Sequence, residues 1–513
     1  YDFDDISNFI ISNKNKEKIK EYNSLINSIT ICDPAVGSGH FLVSCLNELI
    51  ACKSDLGILA DETGKILPIK VHIENDELIF TDSEGNLFEY NPKNLDSTHI
   101  QKSIFFEKEN LIENCIFGVD INSKSTQITR LRLWIELLKN AFYKENNELE
   151  TLPNIDINIK TGDSLISYYP LSDSSALTQR DTITINQYKE HVKSYKNTTN
   201  QKKKKDLLEK IENDKNNLKG FILNKSELQL KLKKLYEEYY QKYKTERFEI
   251  EMSPEQKKSQ DKNKLKLLDE ITKISQEINQ NQEIKNNKNK LEWRFEFPEI
   301  LDDFGNFLGF DLVIGNPPYI QLQKEGGKLA KLYENQNYQT FARTGDIYAL
   351  FYEKGIQLLK HNGLLCYITS NKWMRAGYGE KLRAFFTKYN PLQLIDLGPG
   401  VFENATVDTN ILLIQKAQTA HKQLKAVTLQ KQNGTINIES QVKERAVILE
   451  NISSDAWFIG SNAEQQLKEK IERIGKPLKD WDVNIYRGVL TGLNEAFIIT
   501  TEKRNEILAN CRS

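Results

Sequence analysis

Short apolar, β-branched runs recur through the first 415 residues with no polar alternation inside them: Ile29–Asp33, Cys115–Asp120, Ile155–Lys160, Phe310–Ile314, Leu364–Thr369 and Leu392–Leu397. A strand that faces water on one side alternates polar and apolar residues, so an unbroken apolar strand needs cover on both faces. Helix-length amphipathic segments, among them Phe41–Cys52 and Thr126–Asn140, lie between the runs and supply that cover. The pattern predicts an α/β fold with a doubly wound, mostly parallel sheet. A last run, Thr409–Gln415, follows a short connection and predicts an antiparallel edge strand.

Two insertions interrupt the alternation. Between Lys65 and Asn91, the alternating Lys70-Val-His-Ile and Glu77-Leu-Ile-Phe, followed by a turn at Glu84-Gly85-Asn86, predict a small hairpin or meander. From Leu171 to Phe297 the composition shifts to Lys, Glu, Gln, Asn and Leu, with Gly220 the only glycine and Pro254 the only proline. Leu228, Leu232, Leu235 and Tyr239 fall on one helical face, and Leu267, Ile271, Ile274 and Ile278 repeat that spacing beyond a break at Met252-Ser253-Pro254. This predicts an antiparallel, coiled-coil-like helical hairpin. It serves as a solvated spacer or as an arm for DNA or a partner, and the lysine run Lys202–Lys205 is a solvated face or a phosphate clamp. The expected division is a core of residues 1–170 and 298–416, a helical insertion at 171–297, and the incomplete start of another domain at 417–513.

No apolar run approaches the roughly 18 residues of a membrane span. Tyr1–Ile11 carries Asp2, Asp4 and Asp5, the wrong charge for a secretory leader, so no membrane partner and a cytoplasmic location are expected. The first residue is not Met, and a native start upstream is expected. The six cysteines are scattered with no paired Cys-x-x-Cys, which supports neither a disulfide framework nor a metal site. With a net charge of −2, any nucleic-acid contact must come from a local basic face.

Chemistry concentrates where the runs end. Asp33-Pro34-Ala35-Val36-Gly37-Ser38-Gly39-His40-Phe41 follows the first run and precedes a helix, and its glycines let the backbone approach a ligand closely. No third glycine completes a dinucleotide pattern, and the loop alone assigns no function. In Phe117-Gly118-Val119-Asp120-Ile121 an acidic residue ends the next run. It suits the ribose hydroxyls of an adenosine-containing cofactor, or else the cap of a helix beginning near Asn122 and Ser123. Thr161-Gly162-Asp163-Ser164 places an oxygen where an adenine amino group would meet it. Turns at successive strand ends converge on one crevice.

The run Asp311–Gly315 leads into Asn316-Pro317-Pro318-Tyr319. Two prolines remove two backbone donors, which leaves a rigid acceptor site. The Asn316 side-chain oxygen and the Pro317 carbonyl each suit one hydrogen of an exocyclic amine, and Tyr319 offers a ring for stacking a planar base. The plainer alternative is a proline-rich strand end with an aromatic anchor.

Together, Asp33-Pro-Ala-Val-Gly-Ser-Gly39, Gly118-Val-Asp120, Gly162-Asp163 and Asn316-Pro-Pro-Tyr319 resemble the adenine-specific (N6) DNA methyltransferases of restriction-modification systems, of the Type IIG-like kind often fused to an endonuclease. Asp346–Phe351, Gly363–Asn371 and Val401–Val407 are similar to that family's later motifs, and Ile485–Phe497 resembles the opening of its target-recognition domain. The resemblance implies a seven-stranded-type methyltransferase sheet and methyl transfer from S-adenosylmethionine to adenine N6 in duplex DNA by base flipping. It implies catalytic roles for Asn316, Pro317 and Tyr319, and cofactor contacts from Asp33, Pro34, Ala35, Gly37, Gly39, His40, Phe41, Asp120, Ile121, Asp163, Ser164 and Asn316. It also implies stacking of the flipped base between Tyr319 and Phe402, where Phe402 as a core aromatic is the alternative.

Two features depart from the family pattern. A tyrosine-threonine-proline type segment ordinarily completes the methionine pocket, yet Tyr1–Asn27 contains no proline, so that wall is expected upstream. Glu283-Ile-Lys285 has the spacing of a nuclease motif but lies in the polar insertion, so cleavage is expected from another part of the chain or a separate subunit. The same amine-binding logic suits a base in RNA or a protein glutamine, and a catalytically silent DNA-binding subunit is the alternative from another class.

Overall fold

The computed structural model describes residues 3–144, 148–150, 154, 157–167, 171, 179–198, 200–224, 227–243, 262–276, 291–401, 407–419, 423–430, 437–450, 452–481, 483 and 500–510. Its strands are β1 (Ile31–Asp33), β2 (Lys70–Glu74), β3 (Glu77–Thr81), β4 (Ile116–Asp120), β5 (Ile159–Thr161), β6 (Phe310–Gly315), β7 (Leu359–Ser370), β8 (Asn390–Gly398), β9 (Thr409–Gln415), β10 (Leu424–Thr428) and β11 (Val447–Leu449). Nine of them form one sheet in the order β11-β10-β8-β9-β7-β6-β1-β4-β5. β1 runs parallel to both β4 and β6, and the β4–β5, β6–β7 and β8–β10 pairs are parallel as well. The chain winds outward from β1 through β4 to β5, then returns to β6 on the other side of β1. That reversal opens a crevice at the carboxyl ends of β1 and β6.

Alternate residues of the central strands go to opposite faces, as strand geometry requires. Ile31, Ile116 and Leu312 join one core with Leu46, Ile104, Leu111 and Leu133, from the helices His40–Asp55, Leu95–Asn114 and Ser123–Leu138. Cys32, Phe117 and Val313 join the other core with Tyr348, Leu350 and Tyr352 of the helix Tyr348–Leu358. Each fully buried large apolar side chain in these layers contributes roughly 1.5–3 kcal/mol.

Several expectations change. The sheet has nine strands, where the family resemblance implies a seven-stranded type. β9 is antiparallel as expected but lies inside the sheet, between β7 and β8, and is not an edge. It pairs along its length with both neighbours, and its fully buried Asn410 accepts hydrogen bonds from Trp373 Nε1 at 3.1 Å and Thr369 Oγ1 at 3.3 Å. The segment beginning at 417 supplies β10 and β11 to this same sheet; the first compact unit runs Tyr1–Ile459 and a second covers Gly460–Ser513. The second unit contains the helices Asn462–Ile474 and Thr501–Asn510.

The first insertion is the expected meander. Asn75 and Asp76, with φ of 51° and 65°, form the two-residue turn between β2 and β3, and Phe88 N then returns to Phe80 O at 2.9 Å. In the second insertion, Leu232, Leu235 and Tyr239 cluster with Leu267, Ile271 and Ile274 of the helix 262–276, while the Met252–Pro254 break and Ile278 lie outside the described residues. An additional pair of helices, Gln179–Lys196 and Gln201–Asn224, precedes that seam. Ile185, Tyr188, Val192, Leu207 and Ile211 pack between them and against Phe295, and the Tyr188 hydroxyl donates to Phe295 O at 2.7 Å. Among the described residues, no helix is long and apolar enough to cross a membrane.

Candidate active site

β1 ends at Asp33, and the next residues turn over the sheet edge into the helix His40–Asp55. Gly37 and Gly39 adopt φ of 55° and 85°, a region that side chains strain to enter. At Gly39 the helix Ser123–Leu138 comes so close that a Cβ would lie 2.8 Å from Thr129 Cγ2. At Gly37 a Cβ would find nothing nearer than the Ala35 carbonyl at 4.0 Å, so the loop leaves an open cradle there. The loop is fastened from below: Val36 N donates to Val119 O at 2.9 Å, and the Thr129 hydroxyl lies 3.0 Å from Gly37 O.

Asp33 is 1% exposed, with Oδ1 accepting from Ala35 N at 2.9 Å. β6 presses against it through Gly315, where a Cβ would sit 2.5 Å from Asp33 Oδ1. Burial pushes the Asp33 carboxyl up to about 7; the Ala35 N–H opposes the rise and the neighbouring charge of Asp120 adds to it.

Asp120 ties two turns together. Its Oδ2 accepts from Gly37 N at 2.9 Å and its Oδ1 from Asn122 N at 2.7 Å, while Asn122 caps the helix Ser123–Leu138 by accepting from Lys124 N. Asp163, 7% exposed, accepts from Leu165 N at 2.9 Å and from the Tyr333 hydroxyl at 3.1 Å. Burial raises its carboxyl above the usual range against those two hydrogen bonds. Ser164 Oγ donates to Pro34 O at 2.6 Å, which joins this turn to the glycine loop.

Past Gly315 the chain leaves the sheet through Asn316-Pro317-Pro318-Tyr319. Pro317 is buried and Asn316 half-buried, and among the described residues neither the Asn316 side-chain amide nor the Pro317 carbonyl has a hydrogen-bond partner. Tyr319, by contrast, is fixed. Its hydroxyl donates to Ile368 O at 3.2 Å, and its ring meets Tyr348 edge-to-face at 6.1 Å. Burial holds its phenol well above the usual range, so it stays protonated.

Direct hydrogen bonds thus join Asp33 to Ala35, Asp120 to Gly37 and Ser164 to Pro34; Gly315, the residue before Asn316, packs on Asp33, and Asp163 adjoins Ser164 in the chain. His40 is exposed, its Nδ1 lying 3.0 Å from Arg132 Nη1; Phe41 is half-buried; Ile121 is 58% exposed. Phe402 and Ile485–Phe497 lie outside the described residues. Thr129, Tyr333 and Trp293, whose Nε1 donates to Ser164 O at 3.0 Å, were not singled out in the sequence. Only Thr129 carries a local signal, as an inward-facing position one helical turn along from Ser125 and two from Asn122.

Residues 114–402, more than half the chain, match the sequence profile of the family described as Eco57I restriction-modification methylase. The protein named type II restriction enzyme and methyltransferase RM.MjaORFECS2P, of Methanocaldococcus jannaschii, is 27% identical over 79% of this chain and 31% of its own length. Type II methyltransferase M.BstVI of Geobacillus stearothermophilus is 27% identical over 39% of each chain. The Type IIL restriction-modification enzyme MmeI, solved in complex with DNA, aligns over 90% of this chain and 39% of its own at 12% identity and a TM-score of 0.39. The chain spans about a third of the length of the curated relatives it matches.

Proposed function

The chain belongs to the Eco57I restriction-modification methylase family, and from that premise we propose that it methylates the exocyclic N6 of an adenine flipped out of duplex DNA. The observation that carries the reading is the pair of unpartnered acceptors at Asn316 and Pro317, set beside an anchored aromatic ring at the sheet's reversal point. Two adjacent acceptors left open at one point of the crevice suit a ligand that brings two hydrogens on one atom.

S-adenosylmethionine fits the crevice by its chemistry: the cradle at Gly37 is open, and the Asp33 and Asp120 carboxylates surround it with negative charge that suits a cation. Bound there, it supplies an electrophilic methyl group. Asp33, Pro34, Ala35, Gly37 and Gly39 would hold its methionine part, Asp120 and Ile121 the ribose, and Asp163 and Ser164 the adenine, with His40, Phe41 and Asn316 at the margins. Asn316 Oδ1 and Pro317 O would each accept one N6 hydrogen of the target adenine. That pairing draws the lone pair out of conjugation and turns it toward the methyl donor, a gain realised mainly in the transition state. Tyr319 would cover one face of the base and Phe402 the other.

Transfer of a tritiated methyl group by the full-length protein onto duplex DNA, RNA and protein tests the substrate class. Label in DNA as N6-methyladenine supports the reading. Label in RNA or protein alone, or in none of the three, overturns it. The recognition sequence would be read through the Gly460–Ser513 unit, and Glu283-Ile-Lys285 would cleave nothing.

A further inference from the structure

β7 passes Ile368, which holds the Tyr319 hydroxyl, and two residues later opens into the turn Asn371–Met374. Between that turn, the next one at Gly377–Gly379 and the end of β8 lies a recess of about 310 Å³, lined by Asn371, Lys372, Met374, Arg375, Tyr378 and Asp396 among others. Asp396 is 6% exposed. Its Oδ1 accepts from Asn371 Nδ2 at 3.0 Å and Gly398 N at 3.2 Å, whereas its Oδ2 has no hydrogen-bond partner among the described residues. Oδ2 reaches the accessible surface of the recess, where it is free to accept a hydrogen from a ligand.

Three further features narrow what that is. Lys372 and Arg375 are exposed on the wall and neither is ion-paired among the described residues, so two cations stand available to a phosphate beside the carboxylates of Asp396 and Asp408. Tyr378, half-buried, offers ring surface to a planar group. The wall is also continuous with the catalytic segment: the Tyr378 hydroxyl donates to Asp346 Oδ2 at 3.0 Å and lies 3.2 Å from that of Tyr348, the ring that supports Tyr319, while Ile347 N donates to Ile320 O at 2.9 Å. A nucleotide is a planar group with an N–H edge and an attached anion, and a recess of about 310 Å³ is at the small end of ligand sites.

We propose that this recess takes a nucleotide of the DNA next to the methylated adenine, its base donating an N–H to Asp396 Oδ2 and its phosphate meeting Lys372 and Arg375. Adenine, cytosine and guanine each carry an exocyclic amine able to make that contact. The inference rests on DNA being the substrate. Asp396→Asn tests it with little change of shape, because Oδ1 keeps both of its donors while Oδ2 becomes an N–H that opposes the base.

With full-length protein and plasmid DNA as the probe, Asp396→Asn raises KM for DNA about tenfold with kcat within about twofold of wild type and cofactor affinity unchanged. Arg375→Ala and Lys372→Ala each lower the slope of log affinity against log salt by about one. An unchanged KM in Asp396→Asn with an unchanged melting temperature overturns the proposal, as does a fall in kcat alone. Should Asp396→Asn melt early, the two exposed cations decide, and unchanged salt slopes for both overturn it. Wild-type protein that transfers no methyl to DNA removes the functional reading and this inference with it; wild-type activity with indifferent variants removes only the recess.

Discussion

The two halves of the crevice handle their polar groups in opposite ways. On the β1, β4 and β5 side the acidic turns are tied to one another: Asp33 to Ala35, Asp120 to Gly37 and Asn122, Asp163 to Leu165 and Tyr333, and Ser164 to Pro34. On the β6 side the acceptors of Asn316 and Pro317 are left bare while the neighbouring Tyr319 is clamped. A tied loop holds its shape before a ligand arrives and so avoids an ordering cost on binding. On the proposed function, open acceptors keep hydrogen-bonding capacity in reserve for the reacting amine. On that reading, one half binds and the other reacts.

The most severe way to break that contrast is Asn316→Ala, which should lower kcat for methyl transfer by about 10²–10³-fold while calorimetry shows cofactor affinity within twofold of wild type. Equal losses in both would mean that Asn316 belongs to the binding half. Gly315→Ala strikes the seam between the halves. Its added carbon meets the Asp33 carboxylate at 2.5 Å, so overpacking should cost about 1–3 kcal/mol of stability, read from denaturant unfolding, together with weaker cofactor binding.

The tied half can then be probed by pH. Asp33 in the free protein titrates near 7, and a cationic ligand beside it favours the carboxylate, so binding releases a proton. Affinity for S-adenosylmethionine should therefore rise about tenfold between pH 6 and pH 8 and level off above that. S-adenosylhomocysteine, which lacks the sulfonium charge, should show a shallower rise, and a flat profile for both would detach Asp33 from the site. The smallest effect is expected from Tyr333→Phe, which removes one donor from Asp163 and should cost about 0.5–1.5 kcal/mol of stability with kcat unchanged.

Much of this was legible because it is local. Strand ends followed by Asp33-Pro-Ala, Asp120 and Asn316-Pro-Pro announce themselves through turn chemistry within a few residues. What the chain does not announce is adjacency at long range. Thr409–Gln415 reads as a strand from its own apolar run, but its place between β7 and β8 depends on partners that no local pattern encodes. Tyr333 looks like any helical aromatic until the fold brings it to Asp163. β10 and β11 are five and three residues long, too short for a period to register. The helix pair ahead of the expected seam was within reach: Ile185, Tyr188, Val192 and Tyr195 follow the same helical spacing, hidden in a polar composition.

The reversal between β1 and β6 also sets a schedule. Thr30, just ahead of β1, and Asp311, near the start of β6, are held together by hydrogen bonds across 281 residues of chain. At a synthesis rate of roughly 5–20 residues per second, a ribosome needs about 15–55 seconds to deliver β6 once β1 has emerged. During that interval β1 can pair only with β4, on one side, and its other edge is open to any passing strand. The helical insertion, whose first helices bury their own seam, falls inside that wait. Overproduction should therefore load chaperones with a half-built sheet, and shortening the insertion should relieve the load by bringing β6 sooner.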